Sequence, residues 1–246
     1  MNKRYQESLQ RAASRSYEQV AKDFETALLD SQAVIARSLL EADRLVSSDK
    51  ELYATYYEKI EGGIRLPNGD KWDPLREVAE GALFPFYKKK VRYAALSLDG
   101  CGLSNYGECF LVLQNHMIAH RASVFEENCV MFMEKRKILM SEANKLPAGY
   151  RATWGERVKV CVSKLVDKLG ANTKRDTFPG ILLREGKTSE DDSFVEVHIW
   201  GPMTARTLER VIVNRLKSRA DRVIAAALRE RLKKVDVTIH MRAEVA

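Results

Sequence analysis

Phe194-Val195-Glu196-Val197-His198-Ile199-Trp200, halted by Gly201-Pro202, is the stretch on which the fold reading turns. Its β-branched and aromatic residues, closed by a Gly-Pro pair, predict a β-strand. Side chains alternate across a strand, so Val195, Val197 and Ile199 share one face while Phe194, Glu196, His198 and Trp200 share the other. The first face is core. The second sets a carboxylate and an imidazole between aromatics, which suits the floor of a cleft: apolar walls keep a carboxylate's field strong, and rings cover a flat ligand. An edge strand with an amphipathic outer face fits the same pattern.

Downstream, Thr204 is placed to cap a long helix with Leu208, Val211, Ile212, Leu216, Val223, Ile224, Ala227, Leu228 and Leu232 on its apolar side, and residues 235–241 read as a closing strand. Upstream, residues 93–98 and 107–114 read as strands, 125–146 leans helical and a helix is predicted over 156–169. Residues 170–193 are mostly Gly, Thr, Ser, Asp and Lys, a long loop that invites a role as lid or recognition segment. In the first 60 residues Tyr17, Val20, Phe24, Ala27 and Leu28, then Val34, Ile35, Leu39 and Leu40, recur at helical steps with no Pro or Gly before Gly62-Gly63. The expectation is an α+β protein with a helical segment over 1–62 and an α+β domain over 63–246.

Composition narrows the function classes. The 246 residues are 45% hydrophobic and 30% charged, ordinary globular values. No run approaches the roughly 18 apolar residues of a membrane span, and the polar start has no secretory signal, so a cytoplasmic protein without a membrane partner is expected. Cys101, Cys109, Cys129 and Cys161 are irregularly spaced, and His116 and His120 lack the intervening glutamate of a metalloprotease helix, so neither a disulfide framework nor a metal site is expected. The net charge is +7, and the segment 205–234 alone holds ten basic against three acidic residues. Concentrated positive charge suits a nucleic acid, although a solvated helix face or an acidic protein partner would have the same composition.

Two further clusters carry chemistry-bearing side chains. In His120-Arg121-Ala122-Ser123-Val124-Phe125, an extended chain projects Arg121 and Ser123 together, a cation and a hydroxyl fit for a diphosphate and a ribose. Ser104-Asn105-Tyr106-Gly107 is a turn at the mouth of the second strand. Gly100 and Gly102 before it do not make a dinucleotide fingerprint, because Asn105 stands in the third glycine's place and a strand, not a helix, follows.

Taken in order, Asn105-Tyr106-Gly107, Arg121-Ala122-Ser123 and Val195-Glu196-Val197-His198-Ile199-Trp200-Gly201-Pro202 resemble the motifs of bacterial ADP-ribosyltransferase-like toxin domains over roughly residues 90–215, the mRNA-modifying toxins of phage defence among them. The resemblance implies a split mixed β-sheet with NAD, the co-substrate, held in its cleft. It implies Glu196 as the catalytic carboxylate, Arg121 (or else Arg92) on the NAD phosphates and Ser123 at the nicotinamide ribose. Tyr106 and Gly107 would shape the nicotinamide pocket, with His198 assisting or packing. Phe194 stands where many protein-modifying members carry Glu or Gln, which turns the expected acceptor from arginine toward a base or sugar. Residues 184–193 fall where the family's substrate loop lies. The activity implied is transfer of ADP-ribose from NAD to a nucleic acid, RNA favoured, by an intracellular toxin or defence effector partnered by an antitoxin or chaperone. The competing reading is a non-enzymatic basic RNA-binding or protein-adaptor module.

Overall fold

The computed structural model describes residues 1–48, 50–64, 72–138, 146–214, 216 and 218–242. The helices are α1 (Asn2–Ser14), α2 (Glu18–Leu28), α3 (Leu39–Leu45), α4 (Tyr56–Glu61), α5 (Trp72–Leu83), α6 (Asn115–Ile118), α7 (Cys129–Lys135), α8 (Arg157–Leu165), α9 (Phe178–Leu182) and α10 (Arg219–Lys234). The strands are β1 (Gln32–Arg37), β2 (Val91–Ser97), β3 (Cys109–Leu113), β4 (Ala122–Phe125), β5 (Arg151–Thr153), β6 (Glu196–Trp200), β7 (Leu208–Val213) and β8 (Thr238–Met241). They form one mixed sheet in the order β5-β4-β6-β2-β1-β3-β7-β8, in which only the β7–β8 pair is parallel. The protein is therefore α+β in the broad sense expected.

The decisive strand lies where its alternation requires. Val195, Val197 and Ile199 are fully buried in the larger core, with Phe24 and Leu28 of α2, Val160 and Leu165 of α8, and Leu228 and Leu232 of α10. Across the sheet, α5 and α7 contribute Ala79, Leu83, Phe132 and Met133 to a second core around Phe84 and Phe125. Glu196 and His198 face this second layer, opposite Phe125 and Ser123 on β4 and opposite Ala95 and Tyr93 on β2.

Pairing between β1 and β2 covers only Gln32–Val34 against Ala95–Ser97. Beyond it β1 continues along β3 to Arg37, while β2 continues along β6 to Val91. The sheet is thus one ladder at one end of these strands and open at the other, and α3–α5 border the opening. The sheet is mixed, and β1 joins its two halves at one end while they part at the other.

The structure corrects three readings. Val34 and Ile35 lie on β1, not a helix, so residues 1–62 supply a central strand between β2 and β3 as well as helices. A short apolar run satisfies helical and strand spacing alike, and long-range pairing arbitrates. The long helix expected over 204–232 is divided: Leu208, Val211 and Ile212 belong to β7, and α10 begins at Arg219 behind a Ser218–Asp221 capping box. Of the ten basic residues in 205–234, Arg206 and Arg210 precede α10, Arg215 and Lys217 lie outside the described residues, and six ride on α10 itself. The expected loop at 170–193 contains α9, whose Phe178 is buried edge-on against Phe24 at 5.0 Å, and a bridge between Arg184 and Ser193. Of the helix expected over 125–146, α7 is seen; residues 139–145 lie outside the described residues. Among the described residues, no helix is long and apolar enough to cross a membrane.

Candidate functional site

A cavity of about 310 Å³ occupies the opening between β1 and β2. Its walls come from Ile35–Arg37 and Val91–Ala95 of the parted strands, from Glu41, Tyr53 and Lys59 beside them, from Arg76 and Glu80 of α5, from Cys129 of α7, and from Tyr106, Phe194 and Glu196. The volume lies at the lower end of the range of small-molecule sites.

Glu196 is 4% exposed, yet it is one of the residues lining this cavity. Its Oε2 accepts from the Cys129 backbone N–H at 3.0 Å and meets His198 Nε2 at 2.8 Å. With a carboxylate as acceptor, Nε2 carries the proton, and buried Nδ1 has no partner. The His198 ring is held edge-on by Phe84 at 4.9 Å and Tyr93 at 5.2 Å, and lies tilted 5.9 Å from Phe125. This cage explains the odd face of β6: its aromatic and polar residues are packed together rather than turned to water. Only Trp200, at 51%, is exposed.

Cys129, Glu196 and His198 bring three potential metal-ligand atoms within 4.8 Å of one another, a cluster their sequence spacing did not disclose. Two ligands of one tetrahedral zinc stand roughly 3.3 Å apart, given bonds of about 2.0–2.1 Å. The 2.8 Å approach of His198 to Glu196 is instead hydrogen-bond spacing. Burial, reinforced by the Glu196 and Glu80 carboxylates, pushes the Cys129 thiol well up, so it stands as a neutral donor. These three residues form a hydrogen-bonded network.

A second carboxylate shares the wall. Glu80 is 2% exposed, and the guanidinium of Arg76, one turn earlier on α5, approaches its Oε1 at 3.7 Å. Burial pushes its carboxyl up to about 7, against the pull of Arg76. Glu80 Oε2 and the hydroxyls of Tyr57 and Tyr93 beside it are buried without completing a hydrogen bond.

The other side of the opening is cationic. Arg37 lies over the Tyr53 ring at 5.2 Å, Arg92 donates to Tyr53 O at 3.0 and 3.2 Å, and Lys59 pairs with Glu41. Arg37, Lys59 and Arg92 thus stand against two acids, Glu41 and Glu58, the latter with Oε2 3.4 Å from Arg92 Nη2, and both Arg37 Nε and the Tyr53 hydroxyl are buried without partners. Orphaned polar atoms on both sides of the opening are what a cavity made for a polar ligand presents.

The residues singled out in the sequence divide between two places. Glu196, Tyr106, Arg92 and Phe194 line the main cavity. Phe194 is buried against Ala95, Leu103 and Leu183, so its ring is not open to a stacking base. Gly107, at φ +138°, lets the chain pass against Arg37: a Cβ there would lie 2.2 Å from the Arg37 carbonyl carbon. The close approach props the end of β1. Arg121, Ser123 and His198 border a smaller cavity of about 160 Å³ with Phe84 and Trp200. There Arg121 donates to the Trp200 and Pro202 carbonyls, both at 2.8 Å, and Ser123 Oγ accepts from Arg151 at 3.1 and 3.2 Å. Both serve as braces of β6 and β4. The segment 184–193 docks on the turn before Tyr106: Asn105 Nδ2 donates to Asp192 at 3.0 Å, and Ser104 donates to Glu185.

Sequence reasoning missed Glu80, Arg76, Arg37 and Cys129. The signal for the first two was present, an Arg and a Glu at i, i+4 beside the apolar positions Leu75, Ala79 and Leu83. The chain matches no family model and no curated protein.

Proposed function

We propose that this chain breaks the nicotinamide–ribose bond of NAD and transfers ADP-ribose, with Glu196 as the catalytic carboxylate. The observation that carries the reading is the placement of Glu196: a carboxylate tied by the Cys129 N–H and by His198 into the wall of a cavity whose far side holds Arg37, Lys59 and Arg92. Cleavage of a glycosidic bond builds positive charge at the ribose carbon, and a fixed carboxylate in a water-poor wall stabilises that charge more in the transition state than in the ground state. The opposing cations suit the diphosphate, and Tyr106, between the two sides, suits the ring. The order of the three sequence motifs and the opening between β1 and β2 favour an ADP-ribosyltransferase-like fold.

A nucleic-acid acceptor, RNA before DNA, is favoured by the charge of α10, where Arg219, Arg222 and Arg229 are exposed on a helix with six basic and two acidic residues. An intracellular toxin or defence effector, held by an antitoxin or chaperone, is the setting such a transferase suits. The same basic face is what favours the second reading, a binding module without catalysis.

Nicotinamide release from labelled NAD separates them, measured for wild type and Glu196→Gln with and without cellular RNA or DNA. Release that is lost in Glu196→Gln and stimulated by one nucleic acid supports the transferase and names its acceptor class. No release, together with no calorimetric binding of NAD, overturns it in favour of the binding module.

A further inference from the structure

We propose that Glu80 is the proton acceptor of this cavity, a second carboxylate that takes the proton of the incoming acceptor while Glu196 faces the sugar; this rests on the transferase reading. The two carboxylates come from different layers, Glu80 from α5 and Glu196 from β6, and line one cavity. Buried carboxylates that serve structure alone have their oxygens satisfied. Glu196 follows that rule at Oε2, whereas Glu80, more deeply buried, has only Arg76 at 3.7 Å and the Tyr57 and Tyr93 phenols beside it.

The surroundings divide the labour. Glu80 is faced by Arg76 from its own helix, Tyr57 from α4, Tyr93 from β2, Cys129 from α7 and Glu196 from β6. Arg76 and the two phenols favour its ionised form, while burial and the Glu196 charge oppose it, and the balance falls at about 7. Cys129 and Tyr93 are themselves pushed well up by burial and by these carboxylates, so neither competes as a base. Two buried carboxyl groups lining one cavity allow a division of roles, Glu196 toward the sugar and Glu80 poised to exchange a proton near neutrality.

The step balances. The bond from the ribose carbon to the nicotinamide nitrogen breaks, and its electron pair leaves with nicotinamide. The acceptor's lone pair bonds to that carbon, and the acceptor's O–H or N–H proton passes to Glu80 Oε2. The neutral carboxylic acid then returns the proton to water.

The test follows nicotinamide release from pH 5.5 to 9 for wild type, Glu80→Gln, Glu80→Asp and Glu196→Gln, alongside carbon NMR titration of the whole chain labelled at its glutamate carboxyls. One carboxyl is expected to titrate near 7 and to vanish in Glu80→Gln. The wild-type kcat should climb about tenfold per pH unit below that point and then level. Glu80→Gln should lose about 10²–10⁴-fold in kcat together with the climb, with the KM for NAD little changed. Glu80→Asp should restore the climb at a lower rate, which also answers the case in which Glu80→Gln folds poorly. Absence of a carboxyl titrating near 7, or wild-type kcat and pH profile in Glu80→Gln beside loss of release in Glu196→Gln, overturns the proposal alone. Absence of release from wild type at every pH overturns the transferase reading and this proposal with it.

Discussion

Glu196 and His198, two residues apart on β6, are joined through a single carboxylate oxygen, His198 Nε2 standing 2.8 Å from Glu196 Oε2 with both side chains buried. Neighbours at that spacing share a face of any strand, but the contact needs the His198 ring turned along the strand, and Phe84, Tyr93 and Phe125 turn it. His198 therefore holds the Glu196 carboxylate in place. Replacement by Ala should destabilise the fold by about 2–4 kcal/mol, since a caged ring and a buried hydrogen bond are lost together. It should lower kcat for nicotinamide release while leaving the KM for NAD nearly unchanged; denaturant titration and steady-state kinetics check both. Equal losses in binding and turnover would mean that His198 touches NAD directly.

Glu80 makes stability depend on pH. Its carboxyl is raised from 4.5 to about 7 in the folded state, so between these values the native protein holds a proton that the unfolded chain has released. Stability contributed by this group is complete below pH 4.5 and is lost as pH rises through 7. At about 1.4 kcal/mol per unit the loss is on the order of 3 kcal/mol. Glu80→Gln should flatten that slope, as urea midpoints measured at pH 5 and pH 8 would reveal.

Arg121 and Arg37 should respond in opposite ways. Arg121 is committed to the carbonyls of Trp200 and Pro202. Arg121→Ala should cost about 1–3 kcal/mol of stability and leave the KM for NAD within about twofold. Arg37 lines the main cavity with a buried Nε that has no partner. Arg37→Ala should weaken NAD at least about tenfold, the loss of one charge-assisted contact to a phosphate. Calorimetric titration of NAD into each variant decides; weaker binding in Arg121→Ala than in Arg37→Ala would move the phosphate site to the smaller cavity.

Gly107→Ala should fold badly or not at all. A φ of +138° is closed to residues bearing a Cβ, and the added carbon would overlap the Arg37 backbone. A loss of at least about 3 kcal/mol is expected, seen as a lowered thermal midpoint. Because Arg37 ends β1 at the cavity, NAD binding should fall in parallel with the folded fraction.

What could be read without coordinates was local. The alternation in 194–200 placed Val195, Val197 and Ile199 in the core and set Glu196 beside His198, because the period of a strand is a property of the backbone. The strands around Ala95, Leu111 and Ile239, the helix beginning near Arg157 and the position of Tyr106 at a turn were legible for the same reason. Val34 and Ile35 were not: a short apolar run becomes a strand only by pairing, and β1 owes its state to β2 and β3. Leu208 and Val211 were misread likewise, since β7 is held by β3 and by β8 from the far end of the chain. The candidate site follows this division. Sequence named Glu196, His198 and Tyr106 from their immediate neighbours. Glu80, Arg37 and Cys129 joined them only through tertiary structure, because the cavity exists where β1 and β2 part, and that parting is decided by contacts between segments the chain keeps far apart.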